Sequence, residues 1–211
     1  ENVPMAVRMI QMLSMGHHLQ RNINAGQLFG LENIYDHYLS EGAADRMCAY
    51  LKDRWEKPGS RYHVMKEMFA CLHKLEVLSA DWPKKVRHYE KVLFGGGRKQ
   101  YEALHQYRMS DKIAEQLLSY FIYVYFAGAV YDGMPYSKVK LAVISTMLIE
   151  DMVCAKAAEK GQLSFEAIAD AAHSYAREVE HSDLNLQRLS IMFRHQKCFH
   201  IGRLCGALLE W

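Results

Sequence analysis

The sequence predicts an all-α fold, an irregular bundle of about seven helices without a sheet. Apolar residues recur at steps of three and four, as in Met5, Met9 and Met12, and this spacing places them on one helix face. Sustained strict alternation of apolar and polar residues, the mark of a half-buried strand, is hard to find. The short run 121–125 has strand propensity, but it lies inside a longer helical pattern.

Proline supports the same interpretation, because each of the four prolines stands where a helix can begin. The first helical turn tolerates proline, since its missing N–H would have no partner there. In chain order these prolines are Pro4, Pro58, Pro83 and Pro135.

The boundaries of the predicted helices follow these proline positions and two capping serines. Ser164, after a turn at Gly161, is a candidate N-cap, and Ser182 with Asp183 can cap a new helix. The predicted ranges are 4–23, 31–56, 60–79, 82–94, 98–131, 136–159 and 164–209, the last with a break near 180–183.

The glycine triplet 95–97 is the clearest flexible joint in the sequence. It separates an amino-terminal helical half, 1–94, from a carboxy-terminal helical half, 98–211. We predict that the two halves share one core. The alternative is a single domain over 1–211. The triplet is not a phosphate loop, because no strand precedes it and neither nucleotide-binding glycine pattern is present.

The most apolar run is 117–131, about 15 residues against the roughly 20 needed to span a bilayer. It contains four tyrosines. We therefore predict a central buried helix rather than a membrane span.

Composition favours a protein of the reducing cytoplasm. The net charge is only +2, so a general nucleic-acid interface is not expected. The five cysteines are odd in number and form no CxxC pair, which predicts buried free thiols. A local basic stretch over 84–99 is compatible with an acidic partner or a phosphate backbone, and equally with a solvated helix face followed by a loop.

The sequence contains no clear motif for a metal site or a catalytic nucleophile. Two Glu-x-x-His pairs occur, Glu102 with His105 and Glu178 with His181. Such pairs bind iron in carboxylate bundles only with further glutamates, for which Glu150 and Glu32 are candidates. The tail residues His195, Cys198, His200 and Cys205 lie on one apparent helix and cannot enclose a metal alone. We predict no metal ligands in this chain, and the sequence does not identify catalytic residues.

The densest polar cluster spans 174–185, and the stripe of His173, Arg177, Glu180 or His181 predicts a buried Arg–Glu–His network between helices. The same residues could instead position a substrate lysine or bind a partner.

Several segments resemble the carboxy-terminal region of the flagellin lysine-N-methylase family. They are 115–132, Lys138-Val139, 174–185 and the earlier 72–82, so the resemblance spans about 60–190. Its strongest element is Arg-Glu-Val-Glu-His-Ser at 177–182.

The resemblance implies methyl transfer from S-adenosylmethionine to surface lysines, typically of flagellin. Family members also carry an amino-terminal CxxxCxxCC-type cluster thought to hold an iron–sulfur or other metal centre, and this chain lacks it. Because the sequence begins with Glu1 rather than Met, we expect that cluster upstream. Neither cofactor is then expected in this chain alone.

On this resemblance the chain is a scaffold or substrate-docking part of a methylase, inactive by itself. Aromatic walls and a carboxylate suit a lysine side chain. The predicted substrate-binding residues are Tyr120, Tyr123, Arg177, Glu180 and His181, with Tyr131 nearby. Two alternatives stay open: a non-enzymatic helical adaptor that uses the 84–99 surface, and a metal-binding bundle built on the Glu-x-x-His pairs.

Overall fold

The structure is a computed structural model that describes residues 3–55 and 60–210. Within those ranges it contains helices and no strand, which confirms the all-α prediction. It has more helices than predicted. They are α1 (Met5–Asn24), α2 (Leu31–Leu39), α3 (Ala43–Trp55), α4 (Ser60–Leu72), α5 (Trp82–Phe94), α6 (Gly97–Leu104), α7 (Asp111–Tyr125), the single turn α8 (Ala129–Asp132), α9 (Pro135–Lys160), α10 (Phe165–Val179), α11 (Asp183–His195) and α12 (Ile201–Leu208).

The additional helices arise where predicted helices are broken. The predicted helix 31–56 divides at Gly42, whose φ of 70° lies in the left-handed region that glycine tolerates. The predicted helix 98–131 divides at Arg108 and Ser110, which are both extended. The predicted helix 60–79 ends at Leu72 instead, and Leu78 lies in a loop with 44% of its surface exposed.

The capping predictions hold. Ser164 Oγ accepts from Ala167 N at 3.2 Å, and Ser182 Oγ accepts from Asn185 N at 3.1 Å. Gly161 ends α9 in the left-handed conformation. Pro4, Pro83 and Pro135 stand at the starts of α1, α5 and α9, whereas Pro58 lies outside the described residues.

Helix α9 is the centre of the fold. It is apolar on all sides and buried along nearly its whole length, and α1, α5, α7, α10 and α11 pack around it. The prediction that 117–131 forms the central buried helix is therefore wrong. That segment is divided between α7, a 3-10 turn (Phe126–Gly128) and α8, and only one side of α7 is buried.

The stretch from α7 to α8 is apolar as a whole, although little of it is buried. Among the described residues, 111–132 is the one helical stretch whose length and composition would suit a membrane crossing. Its inner side, at Ala114, Leu118 and Phe121, packs within the bundle core, while Tyr123 and Val130 are 88% and 87% exposed.

One set of buried side chains runs from Met5 in α1 to Leu208 in α12, on both sides of the glycine triplet. The triplet itself joins two helices that pack on each other, α5 and α6, and Gly97 has a φ of 78°. Division into two halves stays a prediction. Cys71, Cys154, Cys198 and Cys205 are buried free thiols, as predicted, and the side chain of Cys48 lies outside the described residues.

Candidate functional site

A surface carboxylate framed by tyrosines lies where α7 meets the end of α10. Glu180 follows the last residue of α10, and its Oε2 accepts hydrogen bonds from Tyr120 Oη at 2.9 Å and Tyr125 Oη at 3.0 Å. Its other oxygen, Oε1, is shielded from solvent and has no hydrogen-bond partner among the described residues. The carboxylate is thus oriented by two donors, and its second oxygen is unpaired but enclosed.

The two tyrosines differ in exposure. Tyr120 is 49% exposed, whereas Tyr125 is partly buried beside the core. Burial, with Glu180 as the next cause, raises the pKa of both hydroxyls above the ordinary value, so both stay protonated donors near neutral pH. Tyr123, on the outer side of α7, presents its ring to solvent close by in sequence.

The other predicted site residues lie elsewhere. Arg177 is exposed and donates to Ser79 Oγ at 2.7 Å, with Asp81 Oδ1 at 3.6 Å, in the loop before α5. His181 is exposed beyond α10. The structure therefore brings Tyr120 and Glu180 together but not Arg177 or His181, and it adds Tyr125, which the sequence did not indicate.

The predicted buried Arg–Glu–His network does not form from these residues. Arg177 and His181 are exposed, and the buried carboxylate is Glu178, whose Oε2 accepts from Leu78 N at 2.9 Å. The helix turns Glu178 and Glu180 in different directions, so one carboxylate enters the interior and the other remains at the surface.

A different ionic network is buried against α9. The Arg61 guanidinium lies 3.1 Å from Glu150 Oε2 and 2.8 Å from Asp151 Oδ1, and Tyr101 Oη donates to Asp151 Oδ2 at 2.8 Å. Arg61, Glu150 and Asp151 are at most 1% exposed. Such a cluster fixes α4 and α6 on the central helix and is closed to a large substrate.

Glu150 and His105 titrate in this network, so its contribution to stability depends on pH. Burial raises the pKa of Glu150 to about 7, against the opposing effect of Arg61 and Arg108. A carboxyl whose folded pKa is raised binds its proton more tightly in the folded state, so its contribution to stability falls as pH rises from about 4.5 to about 7. His105 acts in the opposite direction, because burial lowers its pKa to about 4.

We expect the variant Glu150→Gln to isolate the contribution of this carboxyl to the pH dependence of stability. Relative to the wild type, the free energy of unfolding of Glu150→Gln should rise by about 1–3 kcal/mol between pH 4.5 and pH 7. Urea titrations at several pH values measure this difference, and His105 cancels because both proteins retain it. A difference that is independent of pH would show that Glu150 titrates normally.

Metal ligands do not converge within the described residues. No group of three His, Cys, Asp or Glu side chains there is placed to hold a metal ion. Glu102 pairs with Arg98 at 2.6 Å while His105 packs on Tyr101, and Glu150 pairs with Arg61. An iron–sulfur cluster needs several cysteine thiolates, so the described residues do not fit one.

The basic stretch is partly neutralised. Lys85 pairs with Asp81 at 3.0 Å, Arg98 with Glu102, and His88 with Glu159. These contacts reduce the positive field that an adaptor would need over 84–99.

Fold and site together define an all-helical domain with a tyrosine-framed carboxylate at the edge of its bundle. A family model described as the FliB lysine N-methylase C-terminal domain matches residues 1–207, and the chain belongs to this family. The resemblance predicted over 60–190 is thus confirmed and extends over nearly the whole chain. Searches of curated proteins and of solved structures gave no match.

Proposed function

We propose that this chain is the lysine-docking part of an S-adenosylmethionine-dependent flagellin lysine N-methylase of the cytoplasm, and that it does not transfer the methyl group alone. Membership of the methylase family supports the activity of the whole enzyme. The observation that carries the docking role is Glu180, a carboxylate at the edge of the bundle that two tyrosine hydroxyls hold in place.

A lysine side chain matches this surface in charge and shape. Its ammonium would lie against the Glu180 carboxylate beside the exposed Tyr120, and the adjacent tyrosine rings attract a cation through their π faces. The exposed ring of Tyr123 would then extend the contact along the substrate segment.

The same chemistry argues for docking rather than catalysis at Glu180. Methyl transfer requires a neutral amine, whereas an adjacent carboxylate stabilises the charged ammonium and raises its pKa. A lysine held here is therefore a recognition contact, and the reacting lysine belongs to another site.

The methyl donor does not suit the cleft where α1, α9 and α12 meet. S-adenosylmethionine carries positive sulfonium and amino groups, and this cleft of about 620 Å³ is lined by Arg21, Lys140 and Arg194 without an acidic side chain among its described residues. We propose that neither this donor nor a metal centre is held by this chain.

We expect Glu180→Gln to weaken binding of purified flagellin on the order of tenfold, since a charge-assisted contact contributes about 1.5–3 kcal/mol. Surface plasmon resonance with immobilised flagellin measures this. The matched control is Glu166→Gln, which removes the same charge from the first turn of α10, where Glu166 pairs with Lys160.

Equal affinity of the Glu180 variant and the wild type would reject the docking site. The adaptor alternative gives a separate result, because neutralising basic residues in 84–99 would then reduce binding more than Glu180→Gln.

A further inference from the structure

A cleft of about 620 Å³ opens where α1, the beginning of α9 and the junction of α11 with α12 meet. Its walls carry Arg21, Lys140 and Arg194 together with His17 and His200, and no acidic residue is among the described residues that line it. Two arginines and a lysine without a carboxylate create a positive field that attracts anions.

Lys140 shows that this charge is built into the fold. Its side chain is 5% exposed, its Nζ donates to the carbonyl oxygen of Phe193 at 2.6 Å, and Nζ lies 4.4 Å from the centre of the Tyr136 ring. The described residues supply it with a carbonyl and a ring but with no carboxylate within ion-pair distance. An ammonium held in this way favours an anion from solution.

The titration of neighbouring groups reflects the same field. Burial lowers the pKa of Lys140 to about 8. Burial, then Arg21, Lys140 and His18, lowers the pKa of His17. A bound anion would oppose these shifts, because a negative charge favours the protonated form of both groups.

A helix terminus adds to the cleft. Helix α12 begins at Ile201 after His200, both of which line the cleft, and no described side chain caps it. The first amides of a helix and its dipole favour an anion at this end.

The positive lining continues beyond this cleft. An adjoining cleft of about 510 Å³ shares His17 and Arg21 and adds His18, His37 and Arg46, again without an acidic residue among the described ones. The basic surface is therefore continuous along α1.

We propose that the cleft at Lys140 binds a small phosphate-bearing ligand, a phosphomonoester of about mononucleotide size. Converging arginine and lysine side chains and a helix N-terminus suit a dianionic phosphate. Tyr136, Met134 and Ile201 provide apolar wall for an organic group, and the volume lies in the range of small-molecule sites. This site shares no residue with the proposed lysine-docking surface, so it goes beyond that function.

Calorimetry on this chain tests the proposal with adenosine 5′-monophosphate, adenosine and inorganic phosphate at low ionic strength. We expect the monophosphate to bind at least about tenfold more tightly than either part alone, because both the phosphate and the organic body contribute. Binding of adenosine with equal affinity, or no binding of the monophosphate, would overturn the proposal. Equal affinity for inorganic phosphate would overturn the assignment of an organic ligand.

Variants locate the binding. The double change Arg21→Gln with Arg194→Gln removes two exposed charges of the cleft and should weaken binding of the monophosphate about tenfold or more. The control Lys99→Gln with Lys112→Gln removes the same net charge from exposed positions outside both clefts. An equal loss in the two double variants would show general charge attraction and reject the site.

Discussion

Replacing Arg61 by Met is expected to destabilise the protein by about 3–5 kcal/mol, the cost typical of removing one partner from a buried ion pair. Arg61 contacts Glu150 at 3.1 Å and Asp151 at 2.8 Å, and all three side chains are buried. Methionine preserves much of the apolar stem but leaves two carboxyl groups in the interior without this guanidinium. Urea unfolding followed by circular dichroism measures the loss.

The control is Arg203→Met. Arg203 also makes two contacts with one carboxylate, to Glu67 at 2.7 and 2.8 Å, but these two side chains are 36% and 48% exposed. An exposed pair contributes about 0–1 kcal/mol, so this variant should remain close to the wild type. The loss in Arg61→Met should also shrink as pH falls, because protonation removes the buried negative charge. Similar losses in the two variants would mean that the buried network does not stabilise the fold.

The helical class and the helix starts could be predicted because they depend on local chemistry. Pro135 at the first position of α9 and the caps Ser164 and Ser182 act on their own helix ends, and all three were placed correctly. The centre of the bundle could not be predicted, because 117–131 and α9 are both strongly apolar. Only packing decides which of them is surrounded, and α9 has apolar residues on every side.

The candidate site was predictable only in part for a related reason. Residues 174–185 stood out as a polar cluster, but which carboxylate would enter the core depends on the direction each side chain takes from α10. Glu178 and Glu180 differ by two positions and therefore face different surroundings, the loop at Leu78 and the tyrosines of α7. The pairing of Arg61 with Glu150 spans 89 positions, and no local pattern marks such a contact.

One buried residue, Asn185, joins the loop between α4 and α5 to a distant part of the chain. Asn185 is fully buried, and its Oδ1 accepts from Glu76 N at 2.6 Å. Its Nδ2 donates to the carbonyl oxygens of Glu76 at 2.9 Å and Glu178 at 2.7 Å. The amide side chain thus forms the hydrogen bonds that a neighbouring backbone segment would otherwise form, and it connects the loop to the junction of α10 and α11.

Asn185→Leu should therefore destabilise the protein by about 3 kcal/mol. Leucine keeps the side-chain volume but leaves these backbone groups without partners, and each buried group that loses its partner costs about 1–3 kcal/mol. Amide hydrogen exchange gives a sharper readout: protection of Glu76 and Leu78 should fall more than that of α9, because the loop opens locally before the bundle does. The control Asn33→Leu, at an exposed position of α2, should change stability by no more than about 0.5 kcal/mol. Unchanged exchange at Glu76 in the Asn185 variant would show that the loop is held by other contacts, of which the bond from Leu78 N to Glu178 is the first to examine.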